Sequence, residues 1–359
     1  MEDLPIMLSQ NDKNRSYFAA ANGYNGFRSY FNTVFNPKQF SHIYILKGGP
    51  GTGKSSLMKR VVSTLSEECE RTETIFCSSD PSSLDGIILE KGKIKIAVLD
   101  GTSPHAVDPS LPGGCEQIIN LGDFWDINIL KSKRDEALEL SERKKDAYRL
   151  AYSYLSVAGR ITAVRDEIVR GLLGDCSPLA EKYIPIKKEN EIAATRLMSA
   201  FGKGGLTRLE SFAEQTKRVY CVGLYGSELM FLSTVAEGLA RQGAGCIRFP
   251  SVFDDTKTEA IEIHGQSTAL VALLPPYDNC EVIDTSRLLD SKGLSSERSR
   301  LEFLTHEREV MLWAAADEFK KASDAHFELE KIYTSSMSFD EQSEYINKLI
   351  DDISDMLSK

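Results

Sequence analysis

With 359 residues, 42% of them hydrophobic and 27% charged, the chain can bury more than one core and has the composition of a globular protein. A formal net charge of −10 argues against holding long nucleic acid by bulk charge, although a local basic groove stays compatible with it. No apolar run reaches about 18 residues, which speaks against a membrane-spanning helix.

The chain begins MEDLPIMLSQNDKNRS, acidic and polar, without the basic-then-apolar order of a signal peptide, so a cytoplasmic location is expected. The seven cysteines (Cys69, Cys77, Cys115, Cys176, Cys221, Cys246 and Cys280) are odd in number and include no CxxC pair. Reduced, mostly buried thiols are expected rather than a zinc site or a disulfide framework. The five histidines are scattered and suggest no metal cluster.

The segment HIYILKGGPGTGKSSLMKRVVSTL carries the most specific pattern in the chain. Ile43 to Leu46 predict a short buried strand. Gly48, Gly49, Pro50, Gly51, Thr52, Gly53, Lys54 and Ser55 then complete the phosphate-binding GxxxxGK[ST] pattern, with Ser56 next in line. The glycines let the backbone curl so that several N–H groups face phosphate oxygens. Lys54 is expected to reach the outer phosphates of ATP, and the Ser55 hydroxyl to join the shell of a Mg2+ ion. Leu57, Met58, Val61, Val62 and Leu65 recur at helical spacing, so a helix would aim its positive end at the phosphates.

Next comes TETIFCSSDPSSLDG, a strand over Thr74 to Cys77 that opens into a polar loop carrying Asp80 and Asp85. Either aspartate is a candidate for polarising the acceptor or the attacking water. Asp80 before Pro81 and Asp85 before Gly86 are equally good turn formers. KIKIAVLDGTSPH then supplies a nearly continuous apolar run from Ile94 to Leu99, as expected of a parallel strand buried on both faces. Asp100 at its end is the candidate second metal ligand, with capping of the next turn as the plainer role. His105 and Asp108 come next, in a loop rich in proline and glycine, as a candidate imidazole and the carboxylate that orients it.

Farther on the pattern recurs. HIYIL aligns with RVYCV, Tyr44 against Tyr220 and Leu46 against Val222. After a loop shortened by two residues, Leu57, Met58, Val61, Val62 and Leu65 meet Phe231, Leu232, Val235, Ala236 and Leu239. TIFCSSD has its partner in GCIRFPSVFD, KIAVLDGT in TALVALLPP, and CEQIIN in CEVID. The lead-ins AAANGYNGFRSYF and MSAFGKGGLTRLESF also match. Each copy closes with a long helical segment, about 129–172 and about 295–357, expected as an antiparallel helix pair or small bundle, with a coiled-coil contact or a lid as alternatives.

The expected fold is therefore α/β: two tandem P-loop NTPase-like domains with mainly parallel sheets, residues 1–197 and 198–359, each followed by a helical arm or bundle. In the second copy Gly53, Lys54 and Ser55 become Ser227, Glu228 and Leu229, and Asp100 falls opposite Leu274 or Pro275. A carboxylate repels triphosphate and leucine offers no metal ligand, so the second copy is expected to keep the fold and lack the site. It would then serve for packing, or lend an arginine across the interface, with Arg218 and Arg248 as candidates.

Taken together, YILKGGPGTGKSS, LDGTSPHAVDPSLPG and INLGDFWD, followed by a decayed second copy, resemble a family of predicted P-loop ATPases of Gram-positive bacteria over nearly the whole chain. That resemblance implies ATP binding and hydrolysis in the first half, with Lys54, Ser55, Asp100, His105 and Asp108 at family-like positions. The chain has no NKxD motif in the right place, no LSGGQ-type signature, and Gly101 rather than an acid after Asp100, which disfavours three other P-loop classes. A small-molecule or nucleotide kinase stays open, as does a nucleotide-responsive protein that meets a protein partner through its helical arms. Base preference, acceptor and oligomeric state are not legible in these residues.

Overall fold

The structure, a computed structural model, describes residues 14–185, 194–209, 216–264, 266, 268–273 and 280–359. Two six-stranded sheets form its body. In the first the strands lie in the order Asn14–Phe18, Arg71–Phe76, Leu84–Lys91, Ile94–Asp100, His42–Lys47, Glu116–Asn120. His42–Lys47 is parallel to both neighbours, and Asn14–Phe18 is parallel to Arg71–Phe76. Leu84–Lys91 runs antiparallel to the strands on either side of it. The second sheet repeats this plan strand for strand, with the same directions: Ala194–Thr195, Cys246–Pro250, Thr258–Ile263, Thr268–Val271, Lys217–Val222, Glu281–Asp284. Its edge strand Ala194–Thr195 lies ahead of the expected boundary at residue 198.

Leu84–Lys91 is a strand where a polar loop was expected. Asp85 and Gly86 do not turn the chain. Asp85 is the extra residue of a β-bulge, where pairing slips between Ile75 opposite Gly86 and Phe76 opposite Leu84. The hairpin turn lies instead at Gly92, between this strand and the next, with φ +58°.

Sheet faces correct the alignment of the two copies. Ile43, Ile45, Ala97 and Leu99 share one core with Tyr220, Phe249, Ala260 and Val271 of the second sheet. Tyr44 and Leu46 point the other way, onto Leu57, Met58 and Val61 of the helix Lys54–Leu65. Tyr220 is therefore the counterpart of Ile45, not of Tyr44, because a shift of one residue exchanges the faces of a strand. Gly223 then matches Gly48. The helix Ser227–Gln242 keeps the expected register, burying Phe231, Leu232, Val235 and Leu239 against Val219 and Cys221. The second loop is thus shorter by one residue, not two.

The first long segment is essentially one helix, Arg134–Leu172, and the second is two, Ser291–Thr334 and Phe339–Leu357; the antiparallel pairing forms between the long helices of the two copies. In that pairing Leu140 meets Leu329 and Ile332, Ala151 and Leu155 meet Ala315 and Phe319, and Val169 meets Leu301. Beyond its long helix, each half sends a segment across to the other. Cys176 and Ala180 pack against the helix Ser227–Gln242, and Ile184 lies against Gly238. Reciprocally, Ile346, Leu349, Ile350, Ile353 and Leu357 of the helix Phe339–Leu357 cover Leu57, Met58 and Val61. Trp125 bridges Met337 just as Leu173 bridges Leu289. The halves also meet where Phe18 N–H donates to Leu197 O at 2.8 Å and Leu197 N–H donates to Phe18 O at 3.1 Å. These exchanges relate the halves by an approximate two-fold. Among the described residues no helix is long and apolar enough to cross a membrane.

Candidate functional site

The glycine loop joins the strand His42–Lys47 to the helix Lys54–Leu65, and Gly53 caps that helix with a left-handed φ of +78°. Lys54 Nζ donates to Gly48 O at 3.0 Å and to Gly49 O at 2.8 Å, and lies 3.7 Å from Asp100 Oδ2. Asp100 is brought alongside because Leu46, the last residue but one of the loop strand, pairs with it across the sheet. Its Oδ1 accepts from the Thr102 N–H at 2.9 Å and the Thr102 hydroxyl at 2.6 Å, which leaves Oδ2 facing Lys54. Ser55 Oγ accepts the Leu84 N–H at 2.9 Å and so ties the helix to the strand that carries Asp85.

These groups open on a cavity of about 640 Å3 lined by the whole loop from Gly48 to Ser56, together with Asp80, Asp85, Asp100 and His105. The size suits a nucleotide-scale ligand. Asp85 is buried, and burial, helped by the nearby Asp100 carboxylate, pushes its pKa up to about 8. His105 is buried too, and that burial lowers its pKa, disfavouring the charged imidazolium. Its ring stacks on Phe31 with centroids 4.2 Å apart, and its Nε2 lies 4.0 Å from Asp85 Oδ2.

Among the candidate catalytic, phosphate-binding and metal residues of the first half, Asp108 is the one that does not line the cavity. Its exposed carboxylate pairs with Lys47 Nζ at 2.8 Å, and among the described residues neither His105 nitrogen has a hydrogen-bond partner, so Asp108 does not orient the imidazole. Lys47 captures it because the same ammonium also binds Gly101 O and Val107 O and pins the loop between them. Asp80 lies at the cavity wall. Its Oδ1 accepts from Ser82, as a turn former does, while Oδ2 lies 3.5 Å from Lys203 of the second half. The spacing of the histidines gave no hint of one grouping that the fold creates: one ligand atom each from Asp85, Asp100 and His105 lie within 4.8 Å of one another.

The opposite wall of the cavity was not anticipated. It comes from the two long helices and the start of the last one: Lys144, Tyr148, Phe319, His326, Glu330 and Phe339, among others. Lys144 Nζ lies 3.3 Å from His326 Nδ1, and burial, reinforced by Lys144, drives the His326 pKa down to about 4. The second half also grips the loop directly. Gln342 Nε2 donates to Thr52 O at 2.7 Å, Thr334 Oγ1 donates to Gly51 O at 3.3 Å, and a side chain at Gly49 would strike the Tyr333 ring. Only amphipathic spacing marked these helices in the sequence, and spacing does not say which residues will face a distant loop. Arg218 and Arg248 do not line the cavity; the Arg248 guanidinium binds Thr258 Oγ1 at 2.9 Å and Asp255 O at 2.7 Å.

The matching loop of the second half is filled by its own side chains. Ser227 Oγ and Thr285 Oγ1 are hydrogen-bonded at 2.8 Å, Thr285 Oγ1 donates to Val222 O, and Ser227 Oγ accepts the Leu224 N–H. Glu228 takes the place of Lys54; its Oε2 is buried without a hydrogen-bond partner among the described residues, and burial raises its pKa. In the sheet register Ala272, next after Val271, takes the place of Asp100. Leu274 and Pro275, expected there, lie outside the described residues.

A family model described as Nephrocystin 3, N-terminal, matches residues 28–87, from the first hairpin through the glycine loop to the bulge at Asp85. The match is to that family and not to the Gram-positive P-loop ATPases that the motifs resemble. No curated protein and no solved structure matches the chain. The comparisons thus add a likeness over the segment that holds the loop.

Proposed function

We propose that the first half binds ATP with Mg2+ and hydrolyses it, and that the second half is a non-catalytic wall of the same cavity. The observation that carries this reading is Lys54, whose ammonium bridges the carbonyls of Gly48 and Gly49 at the mouth of the cavity, 3.7 Å from Asp100. Arriving phosphate oxygens would replace those carbonyls as acceptors, and loop N–H groups at the helix start would share the charge.

The residues present fit a Mg2+ ion beside the phosphates. Ser55 Oγ accepts only one hydrogen bond and Asp100 Oδ2 accepts none from Thr102, so both oxygens would hold it. When bound, that ion would neutralise charge developing on the outer phosphates. The chain's own part is positioning. Phosphoryl transfer asks mainly for alignment and electrostatic support, with little covalent chemistry from the protein. The helices Arg134–Leu172 and Ser291–Thr334 line the far side.

The test is calorimetric titration with Mg·ATP, together with phosphate release measured without any acceptor. Binding at one site with turnover supports the reading. Binding without turnover, or turnover only when a metabolite is added, would favour the interaction protein or the kinase respectively. No binding would end it.

A further inference from the structure

We infer that Asp85, Asp100 and His105 form a binding site for one first-row transition-metal dication, Mn2+ through Zn2+, taken in preference to Mg2+ and without need of nucleotide. The inference goes beyond the ATPase reading. It shares Asp100 with that reading and requires nothing bound on Lys54.

Three ligand atoms, one from each side chain, lie within 4.8 Å of one another. A filled site with metal–ligand bonds of about 2.1 Å puts neighbouring donors about 3.0–3.5 Å apart, so modest side-chain rotation closes this one. An ordinary ion pair does not account for the arrangement. His105 Nε2 and Asp85 Oδ2 stand 4.0 Å apart, which leaves no hydrogen bond between them.

His105 is the independent observation. Its side chain is 6% exposed, it lines the cavity, and among the described residues neither Nδ1 nor Nε2 has a hydrogen-bond partner. Roughly nine in ten buried polar groups are satisfied, so an imidazole with both nitrogens unmet calls for a partner that is not another side chain. Its stack on Phe31 at 4.2 Å fixes the ring plane, and Asp85 is the acid nearest its Nε2. Two rigid elements supply the oxygens: the bulge places Asp85, and the parallel strand end places Asp100. Thr102 occupies Oδ1 of Asp100 and leaves Oδ2 as the donor.

The donor chemistry selects the ion. Mg2+ prefers an all-oxygen octahedron and sheds water reluctantly, whereas imidazole nitrogen is the ligand of Zn2+, Fe2+ and their neighbours. Two carboxylates balance the charge of one dication. The open side of such an ion would face the cavity. The second half repeats the bulge carboxylate as Glu259 but has Ala272 in place of Asp100, so one ion per chain is expected.

The experiment is done on the full chain, stripped with chelator and free of nucleotide. Mn2+ is titrated and the free ion counted by electron paramagnetic resonance; Co2+ is titrated and its visible d–d absorption recorded. One Mn2+ per chain is expected, with Mg2+ competing at least about 10-fold more weakly. Co2+ bands should appear that weaken in the shape-conserving variants His105→Gln and Asp85→Asn. Mn2+ affinity should fall in each by at least about 10-fold, the usual cost of losing even an outer-sphere partner. Lys54→Ala should keep its Mn2+. Absence of Mn2+ binding to the unmodified chain overturns the proposal, and so does an affinity unchanged in His105→Gln or equal competition by Mg2+. Because no nucleotide is present, a failed ATP titration beside intact Mn2+ binding refutes only the ATPase reading.

Discussion

Asp85 and Glu259 occupy the same place in the two halves: each is the extra residue of a β-bulge, the first beside Ile75 and Phe76, the second beside Phe249 and Pro250. Both carboxyls are buried, and burial raises the pKa of both. Only Asp85 has company suited to an ion. Glu259 repeats the acid, but Ala272 stands where the first half has Asp100, and among the described residues Glu259 Oε1 has no hydrogen-bond partner.

Glu259 should therefore cost stability at neutral pH. Burial pushes its pKa from 4.5 up to about 7, with Ser199 and Arg208 acting the other way. Below pH 4.5 the carboxyl is protonated in both states and the shift costs nothing. As pH rises toward 7 the unfolded chain ionises first, and stability falls with it. Glu259→Gln should be more stable than the parent by about 3 kcal/mol at pH 8, with the gap closing toward pH 4.5. Urea unfolding at a series of pH values measures it. A gap that does not vary with pH would contradict the assignment.

Lys54→Ala should weaken Mg·ATP binding by about 10- to 100-fold, the worth of one hydrogen bond to a charged group, with little change in melting temperature. Glu228→Lys should leave the stoichiometry at one nucleotide per chain, because Ala272 still offers no carboxylate and Ser227 and Thr285 still fill the loop. Calorimetry on the two variants checks both. Two nucleotides bound to Glu228→Lys would mean that the loop charge alone silences the second half.

Gly51→Ala tests the close approach of the halves. Gly51 has φ +69°, and a Cβ there would sit 2.6 Å from the Glu330 carbonyl oxygen. The left-handed backbone alone costs an alanine about 1–2 kcal/mol, and the collision adds to it. Both a lower melting temperature and weaker ATP binding are expected. A neutral outcome would show that the long helix stands farther off.

Gln342→Ala and Ile353→Ala separate the grip on the loop from the cover over the core. Gln342 loses a buried hydrogen bond to Thr52 O, worth about 1–3 kcal/mol once the carbonyl is left unpaired. Ile353, fully buried among Leu57 and its neighbours, should cost about 2–5 kcal/mol as alanine. Only the Gln342 change touches the loop, so only it should lower ATP affinity beyond what the loss of stability explains. Denaturation paired with calorimetry distinguishes the two.

The stretch from Ile43 to Leu65 was legible because glycine spacing and helical periodicity are local properties, and they agree there. The strand carrying Asp85 was hidden by its first residues: Asp-Gly reads as a turn, yet the bulge turns it into the floor of the cavity. The matching of Tyr44 to Tyr220 shows another limit. Identical letters attracted each other, while burial on opposite sheet faces decided the register. Lys144, His326 and Glu330 could not be found at all, since only the pairing of two helices far apart in the chain brings them over the loop.

The crossing of segments from each half to the other has a consequence for how such a chain can change. Helix Phe339–Leu357 is roofing for the opposite half, and residues 173–184 return the favour. Severed at the middle, each piece would keep its sheet and surrender its roof. The loop of either half is thereby freer to vary than the surface on which the other half's cover rests.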